Sequence, residues 1–191
     1  LPTLACQFAC DYCFEKGCKA KDGDGMSDET IVKACEWLNK YLTAHPEIDT
    51  FRLVLFGGEP LLRPDVMVKG LSVFHSLADQ HDLKFWTELT TNGELLGEEA
   101  IALIMGHECS RVQITLDGPS DLHDQRRCGK DGRPTFAKII QNIQLLLSSV
   151  VNPPKVNIRI SLDLGNADRV PELVQYLASL GIQNRLQLSL G

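Results

Sequence analysis

The amino-acid sequence predicts an α/β fold in which a parallel sheet curls into a partial (β/α)6, TIM-like barrel. Short apolar, β-branched runs alternate with longer segments of helical period, and regular alternation of this kind gives parallel strands joined by helical crossovers. Six strand segments are too few to close an eight-stranded barrel, so the barrel is expected to stay open. The unusual residues (57–60, 91–93 and 117–119) each follow a strand directly, at the carboxyl ends where such folds carry their chemistry.

Each element has its own signal. Residues 1–5 read as the end of a first strand. Ser27 is placed to cap a helix over 27–44, in which Ile31, Ala34, Cys35 and Leu38 recur at helical spacing. Strands are expected over 51–56, 83–90, 111–116, 155–164 and 185–190. Pro64 opens a helix over 64–80 at a position where proline is tolerated. Helices over 98–106, 135–150 and 167–180 follow, the last ended by Gly181 as a C′ residue. Neither a linker nor a low-complexity segment interrupts the chain, so 1–191 reads as one domain. Both ends look cut within the sheet, so this domain is expected to be part of a longer protein.

With 43% hydrophobic and 23% charged residues, the 191-residue chain has the balance of a globular protein. Its net charge of −6 argues against nucleic acid or an anionic membrane as a partner. No apolar run approaches the roughly 20 residues that span a bilayer. Seven cysteines cannot all pair, and three of them lie within eight residues. That pattern suits metal ligation in a reducing, cytoplasmic setting better than a secreted disulfide framework.

The strongest signal is Cys6-Gln-Phe-Ala-Cys10-Asp-Tyr-Cys13. Three thiolates spaced in this way can meet on one compact loop. A [4Fe–4S] cube takes four ligands, so a local set of three leaves one iron open. Zinc bound by these three with Cys18 as the fourth ligand is the alternative, and an iron–sulfur electron carrier is another. Phe56-Gly57-Gly58-Glu59-Pro60 lets the backbone approach a ligand closely at a strand end, or makes a tight turn in which Pro60 starts a helix. Thr91-Asn92-Gly93 and Thr115-Leu116-Asp117-Gly118-Pro119 close two further strands, and Arg126 and Arg127 come soon after.

This set of motifs resembles the radical S-adenosylmethionine (radical SAM, AdoMet) superfamily, and within it the SPASM-type peptide- and protein-modifying branch that includes anaerobic sulfatase-maturating enzymes. The resemblance covers essentially the whole chain. It implies that Cys6, Cys10 and Cys13 hold a [4Fe–4S] cluster whose open iron chelates S-adenosyl-L-methionine, which one electron splits into methionine and a 5′-deoxyadenosyl radical. It also implies that Gly57, Gly58, Glu59 and Pro60 form the motif for the AdoMet ammonium, with Glu59 or the adjacent backbone accepting its hydrogen bonds. By the same resemblance Asn92 and Asp117 lie near the cofactor, Thr115 supplies a hydroxyl to the ribose, and Arg127 is the carboxylate clamp, with Arg126 as its possible substitute. A guanidinium suits that task through its bidentate fork. The implied partners are a peptide or protein substrate and an electron donor such as flavodoxin or ferredoxin.

Arg159 alternates with Ile158 and Ile160, which points it into the barrel. The C-terminal cysteine-rich extension that carries auxiliary clusters in that branch is not present within 1–191, and no residue here can be assigned as the catalytic base. Two rivals remain beside the radical enzyme: a non-catalytic iron–sulfur electron-transfer protein and a zinc-stabilised binding module.

Overall fold

The structure, a computed structural model, describes residues 1–15 and 25–191. Five strands form one all-parallel sheet in the order β1 (Thr50–Leu55), β2 (Lys84–Thr91), β3 (Cys109–Thr115), β4 (Lys155–Ile160) and β5 (Leu186–Leu190). The sheet is open, as expected, but residues 1–5 do not complete a sixth strand. They make one isolated bridge, Thr3 with Gly25. They otherwise lean on the exit of β1, where the Gly58 and Glu59 N–H groups donate to the Thr3 and Ala5 carbonyls at 3.1 and 2.8 Å. Pro2 has no N–H to extend this pairing.

The helices are α1 (Asp28–Ala44), α2 (Pro64–Gln80), α3 (Glu98–Gly106), α4 (Ser120–Arg126), α5 (Phe136–Ser149) and α6 (Val170–Ser179). Ser27 Oγ accepts from the Thr30 N–H at 3.2 Å, so the N-cap read from the sequence is formed. Gly181 has φ 71° directly after α6, as its C′ role requires. Two further segments differ from expectation. Strand β4 stops at Ile160 because the Asp163 N–H turns back to Asn166 Oδ1 at 2.8 Å. Helix α4 is one further element, in a stretch that carries no clear helical period.

The helix-side face of the sheet is apolar. Val112, Ile114, Val156 and Ile158 are fully buried against Ile139, Ile143 and Leu146 of α5. Each such side chain contributes about 1.5–3 kcal/mol through burial. The opposite face is polar and open, with Trp86 51% exposed. This two-faced sheet holds the strand exits rigidly in one plane, and the site is built on them.

Candidate functional site

The loop carrying Cys6, Cys10 and Cys13 is held by backbone pairing with the segment after α4. Phe8 bridges Gly129 in antiparallel fashion. The Ala9 N–H donates to the Cys128 carbonyl at 2.9 Å, and the Lys130 N–H to the Gln7 carbonyl at 2.8 Å. Phe8, 5% exposed, anchors the loop in the main core. Gln7 Nε2 reaches Glu94 Oε2 at 3.1 Å, and Arg133 grips the same carboxylate through Nε and Nη2 at 3.0 and 2.7 Å.

The three cysteines are half-buried and unpaired. Cys6 Sγ accepts from the Phe8 N–H at 3.5 Å and from Asn92 Nδ2 at 3.8 Å, the kind of support a ligating thiolate needs. Burial pushes the Cys6 thiol up and the Cys10 thiol to about 11, with the Arg127 charge opposing both. A bound cation would reverse this, because coordination deprotonates a thiol outright. Among the described residues no three metal-ligating side chains are gathered closely enough to close on a single ion. Cys18 lies outside the described residues.

At the exit of β1 the two glycines are forced by packing. A Cβ on Gly57, where φ is 147°, would lie 2.3 Å from the Thr3 carbonyl oxygen. One on Gly58 would meet the Ala5 and Leu4 carbonyl oxygens at 2.3 and 2.4 Å. Glu59 is fully buried, and both its oxygens are engaged. Oε1 accepts from the Leu61 N–H at 3.0 Å and the Thr91 hydroxyl at 2.8 Å, and Oε2 from the Asn92 N–H at 2.7 Å. Burial pushes its carboxyl up against the pull of these donors and of Arg127. Pro60 is buried at the start of a 3-10 turn, Pro60–Leu62. The exits of β1 and β2 are thereby bracketed together.

Beyond β3, Asp117 is fully buried and ties three elements to one carboxylate. It accepts the Tyr12 hydroxyl and the Ser161 N–H at 3.0 Å, and Arg126 Nε lies 3.7 Å away. Arg126 forks onto Asp163 at 3.2 and 2.8 Å and lies 5.0 Å above the Tyr12 ring. Its two terminal nitrogens are therefore committed to Asp163, while its Nε makes no hydrogen bond. Arg127 forms no carboxylate fork of this kind: it is 8% exposed, donates to Tyr12 Oη at 2.5 Å, and its Nε, like that of Arg126, is buried with no hydrogen-bond partner. Burial works against its charge, but Cys10, Tyr12 and Asp117 outweigh that and keep it protonated.

Cys6, Cys10, Cys13, Asn92, Thr115 and Arg127 line one cavity of about 380 Å³, as do Gly57 and Gly58. Glu59, Pro60 and Asp117 stand behind its wall. Arg159 lines the cavity from β4. A larger groove of about 720 Å³ beside α3 is lined by Leu61, Leu95 and Leu103 with Glu98 and Glu99; it gathers no nucleophile or cation and is not the site of chemistry.

Two supporting residues were not identified from the sequence. His123 is fully buried, and its Nδ1 accepts from the Asp117 N–H at 3.4 Å. Its Nε2 then faces the Thr135 hydroxyl at 3.2 Å, which donates to the Arg127 carbonyl at 2.7 Å. Burial, helped by Arg127, lowers this imidazole to about 3 and keeps it neutral. Asp124 Oδ1 accepts from the Thr135 and Phe136 N–H groups at 2.7 and 2.8 Å, so α4 caps the start of α5. Both act at long range, and only the grouping of polar residues over 123–127 hinted at them.

The donor set fits an anionic, metal-bearing ligand: three thiols, a buried cation with an unused donor, and an amide directed at sulfur. The radical SAM superfamily model matches residues 1–177. The serine-type anaerobic sulfatase-maturating enzyme of Bacteroides thetaiotaomicron is 34% identical over 154 residues, covering 74% of this chain and 34% of that enzyme. A probable GTP 3′,8-cyclase of Methanopyrus kandleri is 30% identical over 182 residues, covering 93% of this chain and 51% of its own. The solved structure of histidine-tagged anSMEcpe with bound AdoMet has a TM-score of 0.77 at 22% identity, covering 99% of this chain and 49% of that one. Streptococcus suis SuiB bound to precursor peptide SuiA has a TM-score of 0.66 at 16% identity, covering 99% of this chain and 37% of that one. Both structural likenesses bear on the fold. The chain spans from a third to about half of the length of the relatives it matches. A match running through nearly the whole chain, on the cysteine loop and strand exits just described, places this protein in the radical SAM superfamily, whose members use a [4Fe–4S] cluster and S-adenosylmethionine.

Proposed function

We propose that Cys6, Cys10 and Cys13 ligate the cluster, that AdoMet binds against it in the 380 Å³ cavity, and that the substrate is a peptide or protein side chain. When bound, the cluster supplies the electron that splits the sulfonium bond and so generates the radical. The chain's own residues bind and orient. Arg127 presents a guanidinium whose Nε is unused, which suits the AdoMet carboxylate. With Glu59 fully engaged by protein donors, the backbone at Gly57 and Gly58 is left as acceptor for the ammonium. Thr115 offers a hydroxyl, and Asn92 an amide, from the walls. The buried Phe8 closes the loop side against water.

The observation that carries this reading is the convergence of three cysteines and one buried, incompletely satisfied arginine on a single cavity. The peptide is supported by the 34% identity to a sulfatase-maturating enzyme and by the peptide that accompanies SuiB in the same fold. The identity to GTP 3′,8-cyclases carries a second reading, with a nucleotide as substrate. An electron donor of the flavodoxin or ferredoxin type belongs to the proposal, as does a cytoplasmic setting. Among the described residues no helix is long and apolar enough to cross a membrane. The test is anaerobic turnover of reduced protein with AdoMet and either a pool of peptides or GTP, followed by mass spectrometry. A mass change on a peptide, dependent on AdoMet, is expected. A modified nucleotide with unaltered peptides would replace the proposal by the second reading.

A further inference from the structure

The open face of the sheet carries a charge opposite to that of the whole chain. Strand register places Arg52, Lys84, Arg111, Lys155 and Arg159 on this face, against Glu88 as its acidic residue. Five cations face one carboxylate, in a protein of net charge −6. Glu88 lies 3.8 Å from Arg52. Among the described residues the side chains of Lys84, Arg111, Lys155 and Arg159 form no ion pair within 4 Å. Unpaired cations gathered on one exposed face raise the local positive potential and attract an anion.

We infer that this open face binds an acidic segment of the peptide substrate, an inference that rests on the peptide reading above. Arg159 lines the cavity that holds the cysteines, and Lys155 stands four residues down the same strand, roughly 13 Å away. From β1 to β4 the face is about 14 Å wide. Cations spread over such a span match carboxylates spaced along an extended chain. A triphosphate would instead need them clustered around a nest of backbone N–H groups. Gln113 lies between the cations and Gln187 beside them on β5, with amides able to pair with peptide N–H and C=O groups. Trp86 offers an exposed aromatic surface on the same face. Asn157 fixes this floor by donating to Gln113 Oε1 at 3.1 Å and Ser189 Oγ at 2.9 Å. The acidic segment would lie below the cofactor cavity and present the neighbouring residue to it.

Fluorescence anisotropy with labelled peptides of one length, differing only in carrying glutamate, glutamine or lysine, tests the inference. The glutamate peptide is expected to bind about tenfold tighter than the glutamine peptide at low salt, and the advantage should shrink as salt rises. Reversing Arg111→Glu together with Lys155→Glu should abolish the preference. Arg111→Gln with Lys155→Gln should halve its logarithm while leaving iron content and AdoMet cleavage unchanged. Equal affinity for all three peptides would overturn the acidic-segment inference and leave the peptide reading standing. GTP binding tighter than any peptide, and lost in the same variants, would overturn both.

Discussion

Replacing Glu59 separates two roles for the glycine-rich turn. In the structure its carboxylate takes three donors, from Leu61, Thr91 and Asn92, at 2.7–3.0 Å with no solvent contact. Glu59→Gln keeps the volume but turns one acceptor into a donor. Whichever way the amide lies, at least one N–H or O–H donor is then opposed by another donor. Leaving one buried donor unsatisfied costs about 1–3 kcal/mol. With a typical urea dependence, a loss of about 2 kcal/mol lowers the unfolding midpoint by roughly 1 M. Urea unfolding of the metal-free protein, followed by circular dichroism, measures this. In folded, cluster-loaded protein AdoMet affinity should fall by less than about threefold, because the carboxylate braces the turn and does not itself reach the cavity. An unchanged midpoint with affinity lost about a hundredfold would refute this reasoning and make Glu59 a direct contact to the ammonium.

Arg127→Ala should weaken AdoMet binding about tenfold or more, since a charged hydrogen-bond partner contributes about 1.5–3 kcal/mol; calorimetry on loaded protein reads this, and unchanged affinity would remove Arg127 from the clamp. Folded His123 stays neutral down to about pH 3, whereas unfolded it protonates near 6.5. Between these values the unfolded state binds more protons, so stability falls as pH drops, by at most about 1.4 kcal/mol per pH unit. His123→Gln should flatten that dependence in denaturation curves taken from pH 7 to 4. Gly70→Ala, with nothing within 4 Å of the added Cβ inside α2, should stabilise by about 0.5–1 kcal/mol in thermal melts, whereas Gly58→Ala should destabilise because two carbonyl oxygens stand in its way.

Much of the fold was legible because its signals are local. Ser27, Pro64 and Gly181 act within one turn of where they stand, and the alternating apolar runs fixed the parallel sheet. The failures lie where distant residues decide. Whether 1–5 forms a strand depends on the turn at Gly57–Glu59, and the end of β4 is set by Asn166 turning back on Asp163. The structure brings the three cysteines, Gly57, Gly58, Asn92, Thr115 and Arg127, all singled out from sequence, to one cavity. Their sequence did not reveal that Gly57 and Gly58 make room for the 3–5 backbone, or that Glu59 and Asp117 serve as buried anchors behind the wall. Arg126 and Arg127 look equivalent in sequence; only the structure forks one onto Asp163 and sets the other in the wall of the cysteine cavity. Asp124 and His123 act through partners eleven and twelve residues away, beyond any local pattern.

The central claim is tested most directly by 5′-deoxyadenosine release from anaerobically reconstituted, reduced protein, measured together with iron content for the wild type and the Cys6→Ala, Cys10→Ala and Cys13→Ala variants. The account predicts about four irons per chain and 5′-deoxyadenosine formation in the wild type, with each substitution abolishing release. Stoichiometric zinc in place of iron, or iron retained with no 5′-deoxyadenosine from folded and reduced wild type, would contradict it.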